Sequence, residues 1–128
     1  MIHEFNLYIY PRKLWVTYDA TPDELNRTLT RGDTNERPFK EMPKSCDAST
    51  DATGDKDHGG VLIRFERKEC VNEENIAHEA VHAADFIFDY IGSEHDIRND
   101  ETYAYLVGYI AKCCAIARDN EVKEKQKE

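Results

Sequence analysis

The sequence predicts an α+β fold: an N-terminal β-hairpin and one further strand form a small, mainly antiparallel sheet that packs on two long C-terminal helices. Three observations carry this. Apolar residues alternate over the first 18 positions, a short apolar run occurs at 60–67, and the period changes to that of a helix from residue 73 onward. At 128 residues the chain matches a single domain with one modest core. We read residues 1–120 as that domain and the charged segment EVKEKQKE, 121–128, as a solvated, frayed tail.

In EFNLYIYPRKLWVTYD, Phe5, Leu7 and Ile9 alternate with Asn6, Tyr8 and Tyr10. The pattern breaks at Pro11-Arg12-Lys13 and resumes with Leu14, Val16 and Tyr18, as in a hairpin. A short helix follows to about Leu29. Thr21 is its N-cap, Pro22 takes the first helical position, and Glu24 completes a capping box. Residues 31–60 show little periodicity and accumulate Gly, Asp, Ser, Thr and Pro, so a long loop is expected there. GVLIRFER, 60–67, is a strand with Val61, Ile63 and Phe65 on one side. Helices are expected over 73–91 and 100–118.

Lys and Arg number 17 against 26 Asp and Glu, a formal charge of −9, which repels nucleic-acid backbones. The N-terminus lacks the basic flank and apolar stretch of a signal peptide, and no apolar run is long enough to span a membrane. A cytoplasmic protein is expected. The cysteines Cys46, Cys70, Cys113 and Cys114 form no CxxC pair, and free thiols are the simplest account.

Within IAHEAVHAAD, His78 and His82 stand four residues apart with Glu79 directly after the first. On the helix over 73–91, Ile76, Ala80, Ala84, Ile87 and Ile91, broadened by Val81 and Phe88, form a core stripe. His78, His82, Asp85 and Asp89 share the opposite face, flanked by Phe86 and Tyr90. Histidines one turn apart can direct two imidazole nitrogens at one Zn²⁺, and a glutamate beside them can reach the hydrolytic water without being a ligand. Surface histidines without a metal are the plainer alternative.

A catalytic zinc commonly takes a third protein ligand. Asp85 lies one turn beyond His82 and is better placed to orient a histidine, and His95 is available in the loop GSEHDIRND. Phe88 occupies the place of the third histidine of the metzincin pattern and excludes that class. Glu101 is the preferred candidate. In its helix Tyr103, Leu106, Val107, Ile110, Cys114 and Ala117 form a core stripe, while Ala104, Gly108, Ala111 and Ala115 form a small-residue seam on the side of Glu101. Such a seam would let the histidine helix approach closely. The plainer reading of Glu101 is a first-turn carboxylate favouring the helix dipole.

His78-Glu79-x-x-His82, eighteen intervening residues and then Glu101 resemble the gluzincin branch of zinc metallopeptidases. ETYAY is similar to the start of the ligand helix in its small members, the minigluzincin-like proteins, and the likeness covers about residues 60–118. The resemblance implies a zincin-like fold with an HExxH active-site helix and a following ligand helix. It implies Zn²⁺ held by His78, His82 and Glu101, and a peptidase in which Glu79 activates a metal-bound water. Tyr105, one turn past Glu101, is the first candidate for stabilising the oxyanion, ahead of His58 and His95. The strand Val61–Glu66 is expected to offer a free edge to a peptide or protein substrate. Two alternatives stand beside this reading: a non-catalytic acidic module acting as inhibitor or decoy, and an inactive zinc-holding relative of the peptidases.

Overall fold

The computed structural model describes residues 1–31 and 38–127, with side chains described as far as residue 120. Five strands form one mixed sheet: β1 (His3–Asn6), β2 (Lys13–Thr17), β3 (Thr30–Arg31), β4 (Ala48–Gly54) and β5 (Gly59–Phe65). Their spatial order is β1-β2-β5-β4-β3, with β2 and β5 parallel and the other three pairings antiparallel. Three α-helices complete the chain: α1 (Pro22–Thr28), α2 (Glu73–Ile91) and α3 (Glu101–Lys127). The α+β class and the mainly antiparallel sheet agree with expectation.

Alternation sorts each strand between two cores. Leu14, Val16, Val61, Ile63 and Phe65 face α2 and α3, while Trp15 and Leu62 face Leu25 of α1, Leu29 just after it and Phe39. The central strands β2 and β5 are therefore covered on both sides. Gly60 permits their pairing, because a Cβ there would stand 2.1 Å from the Lys13 carbonyl oxygen.

The hairpin joins β1 to β2 as the alternation predicts, with His3 opposite Val16, but β1 ends at Asn6. Leu7 is buried, while Tyr8 adopts a left-handed φ of 54° and donates its N–H to the Asn6 side chain at 3.0 Å. The loop thus begins before Pro11. The α1 capping box forms as expected: Glu24 N–H donates to Thr21 Oγ1 at 3.2 Å, and Thr21 N–H donates to Glu24 Oε1 at 3.4 Å.

The segment expected to be a loop over 31–60 contains a seven-residue strand, β4, pairing along β5 from Ala48↔Phe65 to Gly54↔Gly59. No large apolar side chain marks it. Ala48 and Thr50, on the side facing α2, are small and partly buried, Ala52 further along is exposed, and the strand is specified by its neighbour. Part of the expected loop, residues 32–37, lies outside the described residues.

α2 has the predicted bounds. The Asn72 side chain accepts from Asn75 N–H at 2.9 Å, and Gly92 ends the helix in the left-handed region at φ 74°. Its buried face comprises Ile76, Glu79, Ala80, Ala83, Ala84, Ile87 and Phe88, whereas Val81 and Ile91 of the expected stripe are exposed. α3 continues past the predicted end through residues expected to be a frayed tail; Glu, Lys and Gln all favour helix. Its core face is Tyr103, Leu106, Ile110, Cys113, Cys114 and Ala117, close to prediction. All four cysteines are free. Among the described residues no helix is long and apolar enough to cross a membrane.

Candidate metal centre

The HExxH segment lies in the middle of α2, whose rotation is set by burial of Ile76, Ala80, Ala84 and Ile87. His78 and His82 project from the exposed face with ring centroids 4.8 Å apart and Nε2 atoms separated by 3.1 Å. Two Zn–N bonds of about 2.0–2.1 Å at a tetrahedral angle hold their nitrogens about 3.3 Å apart. The pair is therefore arranged as a bidentate arm for such an ion. The same separation suits an N–H···N hydrogen bond between neutral rings.

Glu79 points the other way round the helix and is buried at 6% exposure. Its Oε1 accepts a hydrogen bond from Thr50 Oγ1 of β4 at 2.8 Å, which leaves Oε2 directed toward the imidazoles, 3.8 Å from His78 Nε2. Behind it lies Cys114, whose thiol is pushed up to about 12, first by burial and then by the nearby Cys113 and Glu79. The sheet thus fixes one carboxylate oxygen and leaves the other facing the histidine pair. The motif alone does not show this arrangement, because it requires β4.

Glu101 does not join this group. It is exposed on the side of α3 opposite the core stripe, lining a shallow depression with Ala104, Tyr105, Gly108, Tyr109 and Lys112. The small-residue seam that was expected to bring α2 close is not a packing surface. Ala104 and Gly108 are exposed, and a Cβ added at Gly108 would meet no atom within 4 Å. The helices instead meet through the core stripe. Tyr105 also faces outward, at 75% exposure, into a groove formed with Leu7, Tyr8, Ile9 and Tyr10.

Tyr103, read from the sequence as a core residue, forms the polar link between α2 and α3. Its hydroxyl donates to Asp85 Oδ1 at 2.6 Å and lies 3.4 Å from the Val81 carbonyl oxygen. Burial, then the bond to Asp85, pushes its pKa up to about 12, so the ring stays a neutral donor. His95 stacks on the same ring, centroids 3.8 Å apart and planes at 16°. The two alternative third ligands are thus each engaged with Tyr103. Among the described residues no three His, Cys, Asp or Glu side chains come together in a group able to hold a metal. The residues present fit two donors and a base of the expected site.

The expected substrate edge is also corrected. β5 lies inside the sheet between β2 and β4, so its backbone groups are paired on both sides and no peptide can add along Val61–Glu66. The strand nearer the sheet edge is β4. β3 pairs only with its Thr53 and Gly54, and among the described residues Ala48–Ala52 have no strand partner on that outer side.

No protein-family model matches the chain, and neither a curated protein nor a solved structure matches it.

Proposed function

We propose that the chain is a zinc-dependent peptidase in which His78 and His82 supply two of the metal's donors and Glu79 is the general base. The observation that supports this best is the placement of Glu79: buried, anchored through one oxygen by Thr50, and presenting the other to an imidazole pair spaced for chelation. A random HExxH on a surface helix has no reason to bury its glutamate against a sheet hydroxyl. When bound, zinc supplies a Lewis acid for the peptide carbonyl and the attacking water. Glu79 takes the proton from that water and delivers it to the leaving amine, with Thr50 holding the carboxylate in position. The outer side of β4 is the surface along which an extended substrate would add, because Thr50 ties this strand to the base. Glu101 remains the third donor that the resemblance implies, and it would have to turn from the outward face of α3 to reach the pair.

The outward placement of Glu101 and Tyr105 favours a second reading, a non-catalytic relative that retains the histidine helix. Metal content of the purified chain separates the two when combined with Glu79→Gln. The peptidase reading expects about one zinc per chain, retained in Glu79→Gln, with proteolysis reduced at least about a hundredfold. Less than about a tenth of an equivalent at neutral pH would remove the metal reading, and unchanged cleavage would remove Glu79 as base. In Glu101→Ala, weakened zinc binding identifies Glu101 as the third donor, whereas unchanged affinity moves that role to His95 or Asp85.

A further inference from the structure

Among the described residues the outward face of α3 is covered only at Tyr109, which packs on Tyr8 and bonds Asn6, yet the face is built like an interface. Glu101, Ala104, Tyr105, Gly108, Tyr109 and Lys112 follow one another at helical spacing and line an open depression of about 410 Å³. Beside it an apolar groove of about 310 Å³ runs between α3 and the hairpin loop. Tyr8 and Tyr105 are each 75% exposed and Ile9 is 84% exposed. Aromatic side chains bury roughly 150–250 Å² when covered, so Tyr8 and Tyr105, with the aliphatic Ile9 beside them, present on the order of 400 Å² of surface. That is the size of the largest apolar patch on a typical monomer, which is often functional. The loop is held in place, with Tyr8 edge-on to Tyr109 at 5.8 Å and Tyr109 Oη donating to the Asn6 carbonyl oxygen at 2.9 Å.

We infer that this face binds a second copy of the chain through an antiparallel α3–α3 contact about a two-fold axis at the level of Leu106 and Val107. The face is self-complementary in that register. With Glu101 outward as it stands here, a position that excludes its turning to the histidine pair, it comes opposite the partner copy's Lys112, Tyr105 opposite its Gly108, and Tyr109 opposite its Ala104, each pairing occurring twice. Opposite charges close both ends, and large rings meet the two smallest residues of the stripe. Gly108 gains a purpose it lacks within the monomer, where nothing packs on it. Centring the axis further along, near Ile110, would set Glu101 against Asp119 and is disfavoured by like charge. The area is below the roughly 800 Å² per partner of a standard interface, so a reversible, micromolar association is expected.

Sedimentation velocity on the full chain, with chelator present to separate the result from metal binding, tests this over about 5 to 500 µM, where an interface of this size associates. The expected result is a concentration-dependent dimer. Gly108→Gln improves helix propensity but fills the seat of the opposing tyrosine, and it should raise Kd at least about tenfold. Lys112→Glu should weaken association about fivefold and leave zinc content unchanged, while Glu101→Lys combined with Lys112→Glu should restore it to within about twofold. A chain that stays monomeric throughout would overturn the inference. So would a dimer indifferent to both Gly108→Gln and Lys112→Glu.

Discussion

Replacing Thr50 by Val tests whether β4 anchors the candidate base. The substitution keeps the β-branched shape but removes the hydroxyl that donates to Glu79 Oε1 at 2.8 Å. Glu79 is 6% exposed, so water cannot readily replace the lost donor. A hydrogen bond to a charged group contributes roughly 1.5–3 kcal/mol, and the leftover carboxylate retains its desolvation cost. For a domain of this size 1 kcal/mol moves Tm by about 3–5 °C, so Thr50→Val should melt about 5–12 °C below the parent at neutral pH. Thr50→Ser, which keeps the hydroxyl, should lose less than half of that. In a Glu79→Gln background the bond becomes neutral, and Thr50→Val should cost only about 0.5–1.5 kcal/mol. Thermal unfolding followed by circular dichroism compares the parent, the two Thr50 variants, Glu79→Gln and the double variant, five proteins in all. A Thr50→Val melting point within about 1 °C of the parent would refute the anchoring of Glu79 by the sheet.

Two further predictions concern the fold around the site. Gly60→Ala should destabilise by more than about 3 kcal/mol in urea unfolding, because its Cβ meets the Lys13 carbonyl oxygen at 2.1 Å; parental stability would disprove the parallel β2–β5 register. Tyr103, buried at 7% exposure, should titrate well above an ordinary tyrosine, near its raised value of about 12, with Tyr103→Phe removing that step from the phenolate absorbance titration. Because its folded value lies above the ordinary tyrosine value of about 10, the folded state holds the proton more tightly. That contribution to stability is complete below about pH 10 and declines as pH rises toward about 12, a decline that Tyr103→Phe should lack.

The parts of this protein that were legible in the sequence are those set by local physics. The capping box of α1, the bounds of α2 and the core stripe of α3 follow from side chains acting within one or two turns. The hairpin shows in its alternation, and the histidine pair shows in its spacing, since residues four apart on a helix share a face. β4 was not legible, because Ala48, Thr50 and Ala52 are small and carry no strong strand signal, and only pairing with β5 makes them a strand. Nor was the seam: Ala104 and Gly108 have the sizes of a packing surface, but size does not state which helix packs there.

By itself, then, the sequence determined the hairpin, α1, β5, α2, α3 and the local spacing of His78, Glu79 and His82, because those depend on neighbours a few residues apart. Tertiary structure decided what each element meets. It put β5 inside the sheet, turned Glu101 and Tyr105 outward, gave Tyr103 the link to Asp85, and brought Thr50 across 29 positions of chain to Glu79. The physical reason is that a helix has only one rotation that buries its apolar stripe. Once Tyr103, Leu106 and Ile110 take the core side of α3, Glu101 must face the other way.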